Sequence, residues 1–558
     1  MRQWGNAVPV PHGNTGDTRW AYSSQMQNGR GLDNLLRAEL SRRTLLAGGL
    51  AMVGLSGARL RGSASPLQNT RSLGFRPFTL GVASGDPGPD GFVLWTRLAP
   101  DPLNSGGMPP VAVDVTWEVA DDEQMAKIVQ RGTVRTVPEW AHSAHVEVAG
   151  LRPDRWYWYR FRLGDALSPV GRGRTLPAAG SAADRLRFAF ASCQHFETGH
   201  FTAWRHLAGE DLDLVFHLGD YIYENPGVPD AGRVRMHTGP EIVTLDDYRN
   251  RHAQYRTDPH LQAAHAAFPF IVTWDDHEVD NNYAADIAEY ESARDAFLAR
   301  RAAAYQAYYE HMPLRRTSIP KGPWLRLYRD FAYGTLASFF VLDTRQYRTD
   351  QPCGDVAAKT PCPAMADPKA TLLGEAQEKW LFGRLGASAS RWNVLPQQVM
   401  IAKVGRPTPD GSAVRYSTDQ WSGYDVGRTR VLDFFGTRKP SNPIVLTGDI
   451  HSNWVNDLKV NFTDPKSPVV GTEFVGTSIT SGGDGVDQPA AAPGIFKENP
   501  FVKFHNTQRG YVSCEVTAKT MRADYQIVEY VTRPGAPKRT RASFVVEDGK
   551  PGATRVNE

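Results

Sequence analysis

The 558-residue sequence is poor in several features, and each shortage excludes a class of protein. Four cysteines are too few to build a disulfide scaffold. Neither sign of charge dominates: 63 Lys and Arg against 60 Asp and Glu leave a formal net charge of +3, which removes the electrostatic case for nucleic acid as the main partner. The one notable apolar run, Leu45 to Leu55, is too short for a comfortable membrane span. No repeat of fixed period is present, and 41% hydrophobic with 22% charged residues does not suit a disordered tail, a collagen or a coiled coil. Aromatic residues are abundant, with 14 Trp, 20 Tyr and 24 Phe, so a large core is affordable. The length suits two to four domains of roughly 100–200 residues.

The apolar run follows Ser41-Arg42-Arg43-Thr44 and precedes the small residues Gly62-Ser63-Ala64-Ser65. That order reads as an export signal, and the adjacent arginines resemble a twin-arginine signal. A buried helix with a chance arginine pair is the competing reading. Residues 1–65 are therefore expected to be a signal with a long polar lead-in, with Met26 as an alternative translation start. The twin-arginine translocation machinery is the expected partner. The mature protein is expected to be periplasmic, cell-wall associated or extracellular, with no stable membrane span after processing. In such an oxidising compartment Cys353 and Cys362, close together in a Pro-rich loop, are expected to close a small disulfide, two free thiols being the alternative. Cys514, in an alternating strand-like run, reads as a buried bystander.

Residues 75–177 read as β-strands separated by Gly, Pro and Asp clusters, with Phe92–Arg97, Val113–Val119 and Ser143–Val148 at strand length. Leu151 to Phe161, a Leu-x-Pro turn followed by alternating aromatics, resembles fibronectin type III and immunoglobulin-like sandwiches with a tyrosine bridging the corner. After a small-residue linker at Ala178–Asp184, short apolar runs alternate with helical stretches such as Glu289–Met312 and Leu373–Leu385. That alternation predicts an α/β sheet over residues 185–545.

Four of those apolar runs end in acids, histidines or a thiol. Leu186–Ala191 leads into Ser192-Cys193-Gln194-His195, and Leu212–Leu218 into Gly219-Asp220-Tyr221-Ile222-Tyr223. Phe270–Trp274 leads into Asp275-Asp276-His277-Glu278, and Pro443–Thr447 into Gly448-Asp449-Ile450-His451. Strands buried on both faces deliver their last residues to one edge of a sheet, where ligands of open α/β sheets gather. Acids and histidines brought together there need a cation. Each motif alone is also compatible with a turn or a helix cap; four in this order point to a metal site.

Gly-Asp-x-x-Tyr, Asp-Asp-His-Glu and Gly-Asp-x-His after an initial Ser-Cys resemble the calcineurin-like metallophosphoesterases, and more narrowly the PhoD-type alkaline phosphatases. Trp274–Asn282, Leu342–Arg348 and Asp419–Tyr424 are similar to further segments of that family. The resemblance implies an N-terminal β-sandwich followed by an α/β four-layer metallophosphoesterase sandwich. It implies ferric iron (Fe3+) held by Cys193, Asp220, Tyr223 and His451, with Asp220 bridging to a second site. Where the superfamily commonly uses Asn and His at that second site, this chain has Asp276 and Asp449. Hard oxygen ligands favour calcium (Ca2+) or magnesium over zinc, and the PhoD-type resemblance implies calcium. Gln398 is a further candidate to approach that cation.

The implied activity is hydrolysis of phosphate esters by attack of a metal-bound hydroxide. His277 is expected to stabilise the transition state or protonate the leaving group. Arg235, or its neighbour Arg233, and Arg345 are candidates to hold the phosphate, since guanidinium binds it bidentately; surface ion pairs are the plainer reading of each. Phosphodiesterase or phospholipase D-like action on the same centre is the alternative. A thiol hydrolase pairing Cys193 with His195 and an exported binding protein with a vestigial site are competing readings from other classes.

Overall fold

A computed structural model describes residues 74–556 except Ala231 and Glu291. The expected export signal lies outside the described residues. Two large mixed sheets organise the chain. The first has ten strands, in the order Lys550–Val556, Lys538–Glu547, Thr520–Val528, Gly510–Thr517, Arg185–Ala191, Leu214–Leu218, Pro269–Thr273, Val82–Gly88, Gly91–Arg97 and Ser143–Val148. The second has seven, in the order Arg329–Tyr333, Ala337–Val341, Trp392–Pro396, Pro443–Thr447, Val469–Val475, Asn453–Lys459 and Val502–Asn506.

The apolar runs form the parallel centres of both sheets. Arg185–Ala191, Leu214–Leu218 and Pro269–Thr273 are parallel neighbours, as are Trp392–Pro396 and Pro443–Thr447. Continuous apolar sequence is what a strand covered on both faces requires. Phe188, Phe216, Ile271, Phe339, Val394, Ile444 and Leu446 fill one core shared by the two sheets. Phe339 packs on Phe188 at 5.5 Å and on Phe216 at 4.8 Å between ring centroids. The helices Leu245–Arg256, Pro259–Ala267 and Arg294–His311 share a second core with the first sheet. Gly374–Gly386 and Asp425–Arg438 do the same for the second. The predicted helices at 289–312 and 373–385 thus start and stop a few residues from their expected ends. Asp258 caps Pro259–Ala267 by accepting from the His260 and Leu261 N–H groups, with Pro259 at the first helical position.

The N-terminal strands form as read. Val113–Ala120, Ile128–Thr136 and Trp156–Leu163 belong to a five-stranded sheet. Its apolar face shares a core with Val82, Phe92, Leu94 and Val146. The Tyr157 hydroxyl accepts from the Arg152 N–H at 3.0 Å, the corner contact anticipated in the Leu-x-Pro turn. The boundary expected at 178–184 is a linker in the chain but no break in the hydrogen-bonded sheet. Val82–Gly88 pairs in parallel with Pro269–Thr273, so three N-terminal strands extend the first sheet. Lys550–Val556 forms the edge strand of the first sheet. Cys353 and Cys362 form the anticipated disulfide, and Cys514 is buried. No helix among the described residues is long and apolar enough to cross a membrane.

Phe339 touches both sheets, so Phe339→Ala is expected to cost about 3–5 kcal/mol. Thermal unfolding followed by circular dichroism checks this, and an unchanged midpoint would contradict the shared core.

Candidate metal centre

The four strand ends converge. Donor atoms of Cys193, Asp220 and His451 lie within 4.8 Å of one another; so do those of Asp220, Asp276 and His277, and those of Asp275, Asp276 and Asp449. Asp220 belongs to the first two groups and Asp276 to the last two. Tyr223 joins the first group: its hydroxyl lies 2.8 Å from Asp220 Oδ2 and 3.3 Å from His451 Nε2.

The backbone is bent to achieve this. Cys193, Asp220, Asp449 and His451 all sit at positive φ, between 53° and 65°. Non-glycine residues rarely occupy that region, and each such residue costs about 1–3 kcal/mol. Glycine makes the approach possible at two points. A Cβ on Gly219, which has φ 108°, would stand 2.4 Å from Asp275 Cβ, and one on Gly448 would stand 2.7 Å from Ser192 Oγ.

The electrostatics are unbalanced. Asp220, Glu224, Asp275, Asp276, Glu278 and Asp419 are all buried, and half-buried Asp449 joins them. Arg345 and Arg348 are the buried guanidiniums among them. Burial, aided by neighbouring acids, pushes Asp220 and Asp275 far above the usual carboxylate range, and Asp449 to about 7. Burial likewise raises the Cys193 thiol and the Tyr223 phenol. His451 is pushed down to about 3 by burial and Arg509, which leaves a neutral imidazole. Asp220 Oδ1, Asp275 Oδ2 and Asp276 Oδ1 are buried with no hydrogen-bond partner. Acid oxygens without donors, a thiol and a phenol in one crowded edge fit a cation-binding site, because cations supply the missing charge.

His277 lines this edge with a side chain 13% exposed. Its Nδ1 is 2.7 Å from Glu224 Oε2, and its ring packs 4.1 Å from that of Tyr223. Against the cost of burial, Glu224, Asp276 and Asp220 hold the imidazole protonated well above its ordinary pKa.

Arg345 is here, among the acids. It donates to Asp275 and, at 2.8 Å, to Asp419, and its side chain is inaccessible. It balances the acids. Arg235 stands farther off, by the Phe196 ring. It donates to Asp258 at 2.7 Å and to the Phe196 and Gly199 carbonyls, while its guanidinium lies 3.9 Å from the Phe196 ring centre. Arg233 lies 3.7 Å from Glu197. Gln398 is a brace: its amide donates to Thr273 Oγ1, Trp274 O and Leu342 O, and its oxygen accepts from Thr344. Cys193 makes no bond to His195; its sulfur lies 3.2 Å from Ser192 Oγ, and both His195 nitrogens lack a hydrogen-bond partner.

Several participants escaped the sequence reading. Asp275 and Glu278 stood inside a recognised motif without assigned roles. Glu278 accepts from the Asp220, Tyr221 and Asp275 N–H groups at 3.1, 2.6 and 2.8 Å, clasping two strand ends. Ser481 accepts the His195 N–H at 3.2 Å, donates to the Cys193 carbonyl at 2.7 Å and lies 2.6 Å from the Tyr223 hydroxyl. No local signal marks Ser481, because its partners are hundreds of residues away.

Such an edge, with acids, a thiol and a phenol gathered at the ends of parallel strands, is a candidate metal site. Residues 188–525 match the family described as PhoD-like phosphatase, and residues 62–177 match its N-terminal domain. The chain belongs to the PhoD-like phosphatase family. It is 54% identical over 522 residues to alkaline phosphatase D of Bacillus subtilis, covering 92% of this chain and 89% of that protein. A solved structure described as that of PhoD superposes with a TM-score of 0.85 at 55% identity, covering 87% of this chain and 93% of the other.

Removing Glu278 leaves three buried N–H groups without an acceptor, each costing about 1–3 kcal/mol. Glu278→Ala is expected to lower both the melting temperature and the bound metal per chain, and Glu278→Gln, which keeps an acceptor, is expected to do so less. Equal melting and metal content in wild type and Glu278→Ala would show that the clasp is dispensable.

Proposed function

We propose that Cys193, Asp220, Tyr223 and His451 hold ferric iron, that Asp220, Asp276 and Asp449 hold calcium, and that the protein is an exported hydrolase of phosphate mono- and diesters. Metal-dependent phosphoester hydrolysis is the family's chemistry. The observation that carries the finer reading is the sorting of donors along the edge. The thiol, phenol and imidazole stand with Asp220, whereas the donor groups that join Asp276 in the Asp275–Asp449 cluster are carboxylates, with the Arg345 guanidinium beside them. Sulfur and phenolate suit iron, and an all-oxygen group suits calcium. Bound cations would neutralise charge on the phosphoryl oxygens and lower the pKa of the water that attacks.

The chain's own residues do the remaining work. Asp220 lies between the two donor groups and serves both. Glu224 fixes the His277 ring through Nδ1 and keeps it charged. His277 then donates a proton to the leaving oxygen or a hydrogen bond to the phosphoryl group. Arg345, itself held by Asp419, keeps Asp275 and Asp276 in place. Residues 75–177 are read as a β-sandwich that packs and positions the region at 185–545, which is read as a four-layer sandwich.

Elemental analysis of the purified protein should find iron and calcium. Asp220→Ala should abolish turnover of a simple phosphomonoester and of a diester while far-ultraviolet circular dichroism stays unchanged. His277→Ala should lower kcat by roughly 10²- to 10⁴-fold with metal content retained. Full activity in Asp220→Ala, or full activity in an iron-free preparation, defeats this assignment.

A further inference from the structure

A separate donor cluster lies behind the Tyr223 ring. His195, Glu197 and His237 are all buried, and they offer two imidazole nitrogens and one carboxylate oxygen within 4.8 Å of one another. His195 Nδ1 and Nε2 both lack any hydrogen-bond partner, although the side chain has no exposure. A buried imidazole with two idle nitrogens is costly unless something binds it. The other two members are held in place. Glu197 Oε1 accepts the His237 N–H at 3.0 Å, which leaves Oε2 3.7 Å from His237 Nδ1. The Asn225 carbonyl stands 3.0 Å from that same nitrogen and is a fourth donor atom at hand. The Tyr255 hydroxyl lies 2.9 Å from His237 Nε2, so the ring proton can move there and be accepted when Nδ1 binds a cation.

We infer that His195, Glu197 and His237 form a second metal site, distinct from the catalytic edge, that takes one divalent transition cation of the zinc or cobalt type. Two imidazoles and one carboxylate are a donor set for such ions, and no thiol is among them. The inference stands whether or not the catalytic assignment above is right, since it shares no ligand with it. Two of the neighbouring cations have their own partners. Arg235 pairs with Asp258, and Arg251 donates to the Tyr223 and Asn225 carbonyls. Arg233, 3.7 Å from Glu197 Oε2, is the charge that opposes an incoming cation. Val228, Pro229 and Asp230, between Glu197's partner Arg233 and Asn225 in the chain, are exposed. The His195 ring packs 4.4 Å from Tyr223, so occupancy touches the phenol that the catalytic edge uses.

The test adds Co2+ to the enzyme as purified, removes loose metal by gel filtration and counts cobalt per chain alongside the visible difference spectrum. Wild type is expected to retain one cobalt with ligand-field bands and no sulfur-to-cobalt charge transfer. His195→Gln is expected to bind at least roughly tenfold more weakly, the lower end of what losing even an outer partner does. Arg233→Gln is expected to bind severalfold more tightly, because it removes the opposing charge beside Glu197 Oε2 and leaves every proposed ligand unchanged. That variant and the wild-type count decide the matter even if His195→Gln does not fold. No retained cobalt, a sulfur charge-transfer band placing it on Cys193, unchanged binding in folded His195→Gln, or weaker binding in Arg233→Gln overturns the site.

Discussion

Uncompensated negative charge at a shared sheet edge is the constraint on which the rest depends. Asp220, Asp275, Asp276, Asp419 and Glu278 are buried within reach of one another, and Arg345 supplies only part of the balancing charge. Carboxylates in that position either take up protons or find cations. The chain also carries four ligand candidates in the left-handed backbone region, a cost that persists only where surrounding structure over-determines it. Both expenses have the same beneficiary, a constellation of hard and soft donors at one edge.

Rigid elements keep that edge in place. The phenylalanines between the sheets fix the two sets of parallel strands against each other, and Gln398 ties the end of Pro269–Thr273 to Leu342. Glu278 joins the turn after Leu214–Leu218 to the turn after Pro269–Thr273. The N-terminal strands contribute to the same end. Because Val82–Gly88 pairs with Pro269–Thr273, the strand that delivers Asp275 and Asp276 is interior rather than at an edge, and fraying of that strand is suppressed.

Charge placement explains which site residues were readable. Cys193, Asp220, Tyr223, Asp276, Asp449 and His451 each stand within a few residues of a buried strand's end, so the local pattern exposes them. The partner of Arg235, Asp258, lies 23 residues on, and nothing local says that the guanidinium faces a helix cap. An arginine near acids, such as Arg345, reads the same whether it balances them or meets substrate. Gln398 was placed at the correct strand end, but the direction of its amide follows from neighbours on two other strands.

From sequence alone come the elements with short-range causes: apolar runs that become two-faced strands, the Gly-Asp turns, the export-signal pattern, the loop that closes Cys353 to Cys362, and the family. Tertiary structure alone decided that the N-terminal strands continue the first sheet, that Glu278 and Ser481 hold the site together, and that His195, Glu197 and His237 meet in a separate buried cluster. The division has one physical origin. Strand periodicity and turn chemistry act over a few residues, whereas parallel pairing and buried charge balance join segments tens to hundreds of residues apart, and no local pattern encodes which of them will meet.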